Sequence, residues 1–113
     1  MVQQALDAVC ERVAGCETVA FSDLSTQMVL VTNSTARQSR DALNLLCKQA
    51  HSVLQTGHQA LVGTEDNFYV FARSASDPTE ALCCICALDT DIAQVFAELE
   101  ACFDTLDATA GSS

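Results

Sequence analysis

Glycine, proline and basic residues are the scarce components of this 113-residue chain. Four glycines and one proline are too few for a disordered or low-complexity chain, which draws heavily on both. The same scarcity removes a glycine-rich phosphate cradle, which needs several glycines close together. Five Lys and Arg stand against fifteen Asp and Glu, for a formal charge of −10. Nucleic acid is therefore excluded as an expected partner, because phosphate contacts need clustered cations. An anionic membrane surface is excluded on the same ground. No apolar run approaches the roughly 18 residues of a membrane span, so membrane insertion is not expected. The opening Met1-Val2-Gln3-Gln4-Ala5-Leu6-Asp7 lacks the basic and apolar regions of a secretion signal. These absences together predict a soluble, cytoplasmic protein.

A disulfide framework is missing as well. Seven cysteines cannot all pair within one chain. In a reducing compartment they read as small hydrophobes, and periodicity buries Cys10, Cys47, Cys83 or Cys84, Cys86 and Cys102.

What is present suits one domain. Half of the residues are apolar, and a chain of this length buries roughly two-thirds of its unfolded surface. Val2, Leu6, Val9, Cys10 and Val13 recur at helical spacing, and Gly15 supplies a stop. Two short runs rich in Val, Thr, Phe and Leu, residues 17–24 and 27–32, read as a hairpin. Ser34, Thr35 or Ser39 caps a central helix that runs to about Leu54. Strands are expected at 59–64, 68–74 and 79–88, joined by short polar turns. The last of them is almost wholly apolar, as a strand covered on both faces would be. Asp89-Thr90-Asp91 then opens a final amphipathic helix. A single domain is expected over residues 1–107, and a flexible tail over 108–113.

The order is helix, two strands, helix, three strands, helix. Short connections between the strands dictate a five-stranded antiparallel sheet. A central strand buried on both faces needs helices on both sides. The expected fold is therefore α+β, a three-layer α/β/α sandwich.

This order resembles the Roadblock domain, the fold of the Roadblock dynein light chains and of bacterial regulators of Ras-like GTPases. The resemblance covers Val2 to about Leu106. Gly15-Cys16-Glu17-Thr18-Val19-Ala20-Phe21-Ser22-Asp23 is similar to that family's glycine, strand and turn aspartate. The last strand running through Asp89 into a helix is similar too. The chain departs from many members in having Ser25 and Thr26, not Gly, in the first turn. The resemblance implies a homodimer in which the middle helices pack together and the third strands join the two sheets. It implies a platform for a small GTPase or a scaffold protein, with no catalytic residue of its own and no cofactor. A profilin-like domain that senses a small molecule or signal shares much of the same order and is the alternative expectation.

The central helix can be divided on a helical wheel. Ala42, Leu43, Leu46, Cys47, Ala50, Val53 and Leu54 fill a stripe of about 140°, wide enough to pack on a sheet. Leu45 lies outside it, beside Gln49, Ser52 and Asp41. A lone exposed leucine is common, but Ala42, Leu45, Gln49 and Ser52 also suit contact with the same helix of a second copy. The third strand carries no Lys or Pro to block edge pairing, and such pairing would bury Leu61 or Val62. Arg37, Arg40 and Lys48 read either as a solvated flank or as a basic rim facing a partner.

No catalytic or metal-binding arrangement is expected. In Cys83-Cys84-Ile85-Cys86, strand alternation puts Cys84 and Cys86 on one face and Cys83 on the other, unlike paired Cys-x-x-Cys knuckles. His51 and His58, the two histidines, have no cysteine or carboxylate at a defensible spacing.

Overall fold

A computed structural model describes residues 2–111. The element order is α1 (Val2–Arg12), β1 (Cys16–Asp23), β2 (Met28–Thr32), α2 (Arg40–Val53), β3 (Gln59–Gly63), β4 (Asn67–Arg73), β5 (Glu80–Ala87) and α3 (Ile92–Gly111). The five strands form one antiparallel sheet in the order β2-β1-β5-β4-β3. Helices lie on both faces, so the three-layer α+β reading holds. Among the described residues no helix is long and apolar enough to cross a membrane.

Local chemistry sets the boundaries. Gly15 ends the first helical segment with φ +91, and a Cβ there would collide with the Thr90 hydroxyl. Of the three candidate caps, Ser39 is the one used, its hydroxyl accepting from the Ala42 N–H at 3.2 Å. Asp91 caps α3 by accepting from the Gln94 N–H at 3.2 Å. In the β1–β2 turn, Asp23 accepts from the N–H and the hydroxyl of Ser25, which holds its carboxyl below the usual range. α3 continues to Gly111, well past Leu106. The tail expected at 108–113 is thus helical through Gly111, and residues 112 and 113 lie outside the described residues.

The core has two parts, one on each side of the sheet. Between the sheet and α1/α3 lie Leu6, Val9, Val19, Val70, Leu82, Cys84, Cys86, Val95 and Leu99. Under α2 lie Ala20, Val29, Leu43, Leu46, Cys47, Ala50, Phe71, Ala81 and Cys83. β5 is central and feeds both clusters by alternation. Arg12 of α1 pairs with Glu98 of α3 at 3.4 Å.

β1 does not alternate cleanly. Cys16 faces Cys86 and Thr18 faces Ile85, so Glu17 is an extra residue, a β-bulge. The bulge puts Cys16 on the α1/α3 side with Val19, where simple alternation would have separated them. Asn33, 1% exposed, pins this region. Its Oδ1 accepts from the Val19 N–H at 2.9 Å, and its Nδ2 donates to the Glu17 carbonyl at 3.2 Å.

Candidate interaction surface

α1 and α3 cover one face of the sheet, but α2 alone covers the other. It packs chiefly on β2, β1 and β5. On the same face, Ala60 and Val62 of β3, Tyr69 of β4 and Ile85 of β5 remain only partly buried. Half of one sheet face thus lacks a helix.

The flank of α2 beside this bare half carries the residues set apart by the wheel. Leu45 is 65% exposed. Ala42 and Ser52 are exposed, and Gln49 is half-buried. Ala42 had been placed within the core stripe, so the true stripe is narrower at that edge. Between helix and sheet runs a groove of about 390 Å³, lined among others by Gln38, Ala42, Leu45, Gln49, Tyr69 and Ile85. Its lining is apolar and amide in character, with Glu17 at its rim.

β3 borders the bare half and ends the sheet. The ladder to β4 is bracketed by the Arg73 N–H donating to the His58 carbonyl and by the Thr64 N–H donating to the Asn67 carbonyl, each at 2.8 Å. Antiparallel bonding alternates from pair to pair. It follows that Gln59, Leu61 and Gly63 turn their own backbone groups outward, away from β4. Val62 lies on the α2 face opposite Tyr69, whereas Leu61 lies on the α1/α3 face opposite Val70 and is 47% exposed. The two residues belong to the same edge but to different faces.

Arg37, Arg40 and Lys48 are all exposed, yet they do not form one rim. Arg40 turns toward β2, where its Nη2 donates to the Val29 carbonyl at 3.3 Å. His51 and His58 are exposed, and among the described residues no group of three or more His, Cys, Asp or Glu is placed to hold a metal ion. Sequence reasoning missed Tyr69 and Ile85. Ile85 sits in the strand read as covered on both faces, Tyr69 in a strand to which no exposed face was assigned, and the lateral position of α2 leaves both only partly buried.

No family model matches the chain, and no curated protein matches it. Solved structures do match. A Roadblock/LC7 domain from Streptomyces avermitilis superposes with a TM-score of 0.77 at 10% identity over 96% of each chain. MglB from Myxococcus xanthus gives 0.77 at 12% identity, covering 99% of this chain and 96% of that one. MglC from the same organism gives 0.71 at 15% identity, covering 96% of this chain and 99% of that one. The chain has the Roadblock/LC7 fold.

Proposed function

We propose that this chain is a non-catalytic platform that forms a two-fold dimer through α2 and β3 and then binds a Ras-like small GTPase or a scaffold protein in the cytoplasm. The observation that carries this reading is the bare half-face beside Leu45, continuous with an unpaired strand edge. A second copy supplies what both lack. Its own α2 fits a groove bordered by α2, and its own β3 pairs with β3, because a two-fold contact needs only one self-complementary patch. Ala42 and Gln49 allow close helix approach, while Leu45 and Val62 supply apolar area. Burial of apolar surface stabilises such a contact by roughly 25 cal/mol per Å² before association costs. The exposed Lys48 and Arg37 then lie free for an acidic surface on the partner.

Leu45→Glu tests the placement. Light scattering at micromolar concentration should show a dimer for the parent chain. The variant should dissociate at least tenfold more readily, about 1.4 kcal/mol, with an unchanged circular dichroism spectrum. A monomeric parent chain, or a fully dimeric variant, would overturn the interface. The partner is tested by binding to small GTPases loaded with GDP or a GTP analogue. No binding in either state by the intact dimer would remove the GTPase reading.

A further inference from the structure

On the face away from α2, the packing of α3 on the sheet centres on β4. Gln59, Leu61 and Gly63 of β3 lie on this same face, opposite Ala72, Val70 and Phe68, and all three are exposed. Between this end of the sheet and the second half of α3 runs a groove of about 660 Å³. Ala72 and Phe103 give it an apolar floor, and His58 and Gln59 line its β3 side. Its other wall is Glu100, Asp104 and Asp107 of α3, all exposed. Leu61, 47% exposed, extends the apolar surface two residues beyond Gln59.

The wall is a place where negative charge is left over. Its three carboxylates follow at steps of four and three residues, so they share one side of α3 and repel one another. They also stand in the C-terminal half of the helix, where the helix dipole disfavours anions. α3 carries four acidic residues and no Lys or Arg. Among the described residues only Glu98 of the four has an ion-pair partner, Arg12. Asp107 accepts from the Ser76 hydroxyl at 2.9 Å, a neutral donor that leaves its charge in place. Arg73 borders the groove, but alternation from Ala72 turns its side chain to the α2 face, and its Nη2 donates to the Gly57 carbonyl at 2.9 Å.

We propose that this groove docks a basic segment of a partner protein, one that carries Lys or Arg beside apolar residues. Its cations meet the α3 wall and relieve both the repulsion and the dipole. Its apolar side chains cover Phe103, Ala72 and Leu61. The volume falls in the range of sites that enclose several side chains, roughly 300–1,000 Å³. A metal ion is the poorer occupant, since among the described residues no three His, Cys, Asp or Glu are placed to hold one. The formal charge of −10 steers a basic segment toward the chain, and the apolar floor beside the wall decides where it settles. The groove lies across the sheet from Leu45, so it does not depend on the dimer proposed above.

The test is fluorescence anisotropy with a short labelled peptide of alternating Lys and Leu, added to the full chain at near-physiological salt. Saturable binding is expected. The triple variant Glu100→Gln, Asp104→Asn, Asp107→Asn should bind at least tenfold more weakly, about 1.4 kcal/mol. A second triple variant, Glu11→Gln, Glu65→Gln, Asp66→Asn, removes the same charge outside the groove and should bind as the parent chain does. A peptide with Ser in place of Leu should lose affinity by a similar factor, because it cannot use the floor. Equal losses in the two triple variants, or equal binding of the Ser peptide, would reduce the effect to general attraction by an acidic chain and overturn the proposal. So would no binding by the parent chain. If the groove variant does not fold, amide shifts in the parent chain decide: the Leu peptide should move Gln59, Ala72 and Asp104, and shifts confined to other surfaces would sink the site. Leu45→Glu should bind the peptide unchanged, which separates a failure of the dimer from a failure of the groove.

Discussion

β2 and β3 bound the same sheet, yet their outer backbone groups end differently. At β2 the register slips between Phe21 and Ser22, so that Leu30 bulges out of the ladder. The Val29 N–H donates to Asn44 Oδ1 at 3.1 Å, and the Val29 carbonyl accepts from Arg40. The Thr32 carbonyl accepts from Gln3 at 3.4 Å. Two helices thus lend side chains to close this edge, and a bulge bends it away from any flat partner. Among the described residues β3 receives none of these devices: its register is regular from Gln59 to Gly63. One helix explains both outcomes. α2 sits toward β2, which brings Asn44 and Arg40 within reach of one edge and leaves Tyr69, Val62 and the other edge bare. Closing one edge and opening the other are the same act of placement.

The largest expected effect tests how firmly the closed side is held. Asn33 joins β2 to the bulge of β1 through bonds to buried backbone. Asn33→Ala should cost about 3 kcal/mol in urea unfolding, because the Val19 N–H is left without an acceptor in the core. A loss below about 0.5 kcal/mol would mean that water takes its place.

Asn33 also marks where the sequence stopped being readable. It lies just past the second run, 27–32, and nothing local announces a bond to Val19, fourteen residues away. Cys16 is similar: alternation did not bury it, because a bulge is a property of two strands and not of one. Arg40 was read from its neighbourhood in the chain as a solvated flank or part of a basic rim, but its long side chain reaches back to β2. By contrast, element order, a cap among Ser34, Thr35 and Ser39, and the exposure of Leu45 followed from periodicity and capping chemistry, which are local. The split of Cys83 from Cys84 and Cys86 followed from alternation within one strand. The full strand order was not legible. The central place of β5 did follow from its apolar run, but its neighbours β1 and β4 are set by contacts that no window of neighbouring residues contains.

The open edge can be closed by one substitution. The N–H of Leu61 points away from β4, so Leu61→Pro removes no bond of the ladder within the chain. It should raise the dissociation constant of the proposed dimer at least tenfold, about 1.4 kcal/mol, and leave the monomer folded. A variant that dimerises normally by light scattering would place the contact on α2 alone.

The converse change opens the closed edge. Asn44→Ala strips the acceptor from Val29, with a stability loss of about 1 kcal/mol. Adding Arg40→Ala exposes both polar groups of that residue. The double variant should form species larger than a dimer, since each copy then has two pairing edges. If scattering shows no growth, the bulge at Leu30 suffices to guard β2 without help from α2.

The smallest effect concerns the entry to β2. Gln27 has φ +57, the only positive φ outside glycine among the described residues. A side chain in this left-handed region costs about 1–2 kcal/mol relative to ordinary backbone, and glycine relieves it. Glycine also adds freedom to the unfolded chain, which offsets about 0.5–1 kcal/mol of the gain. Gln27→Gly should therefore stabilise the chain by only about 0.5 kcal/mol, read as a small rise in the urea midpoint with an unchanged slope. The sign carries the information. Met28 pairs with Asp23 just beyond this turn, so the strain sits where β2 begins. If Gln27→Gly destabilises, the glutamine side chain helps to hold β2, and the closed edge is secured at its entry as well as along its length.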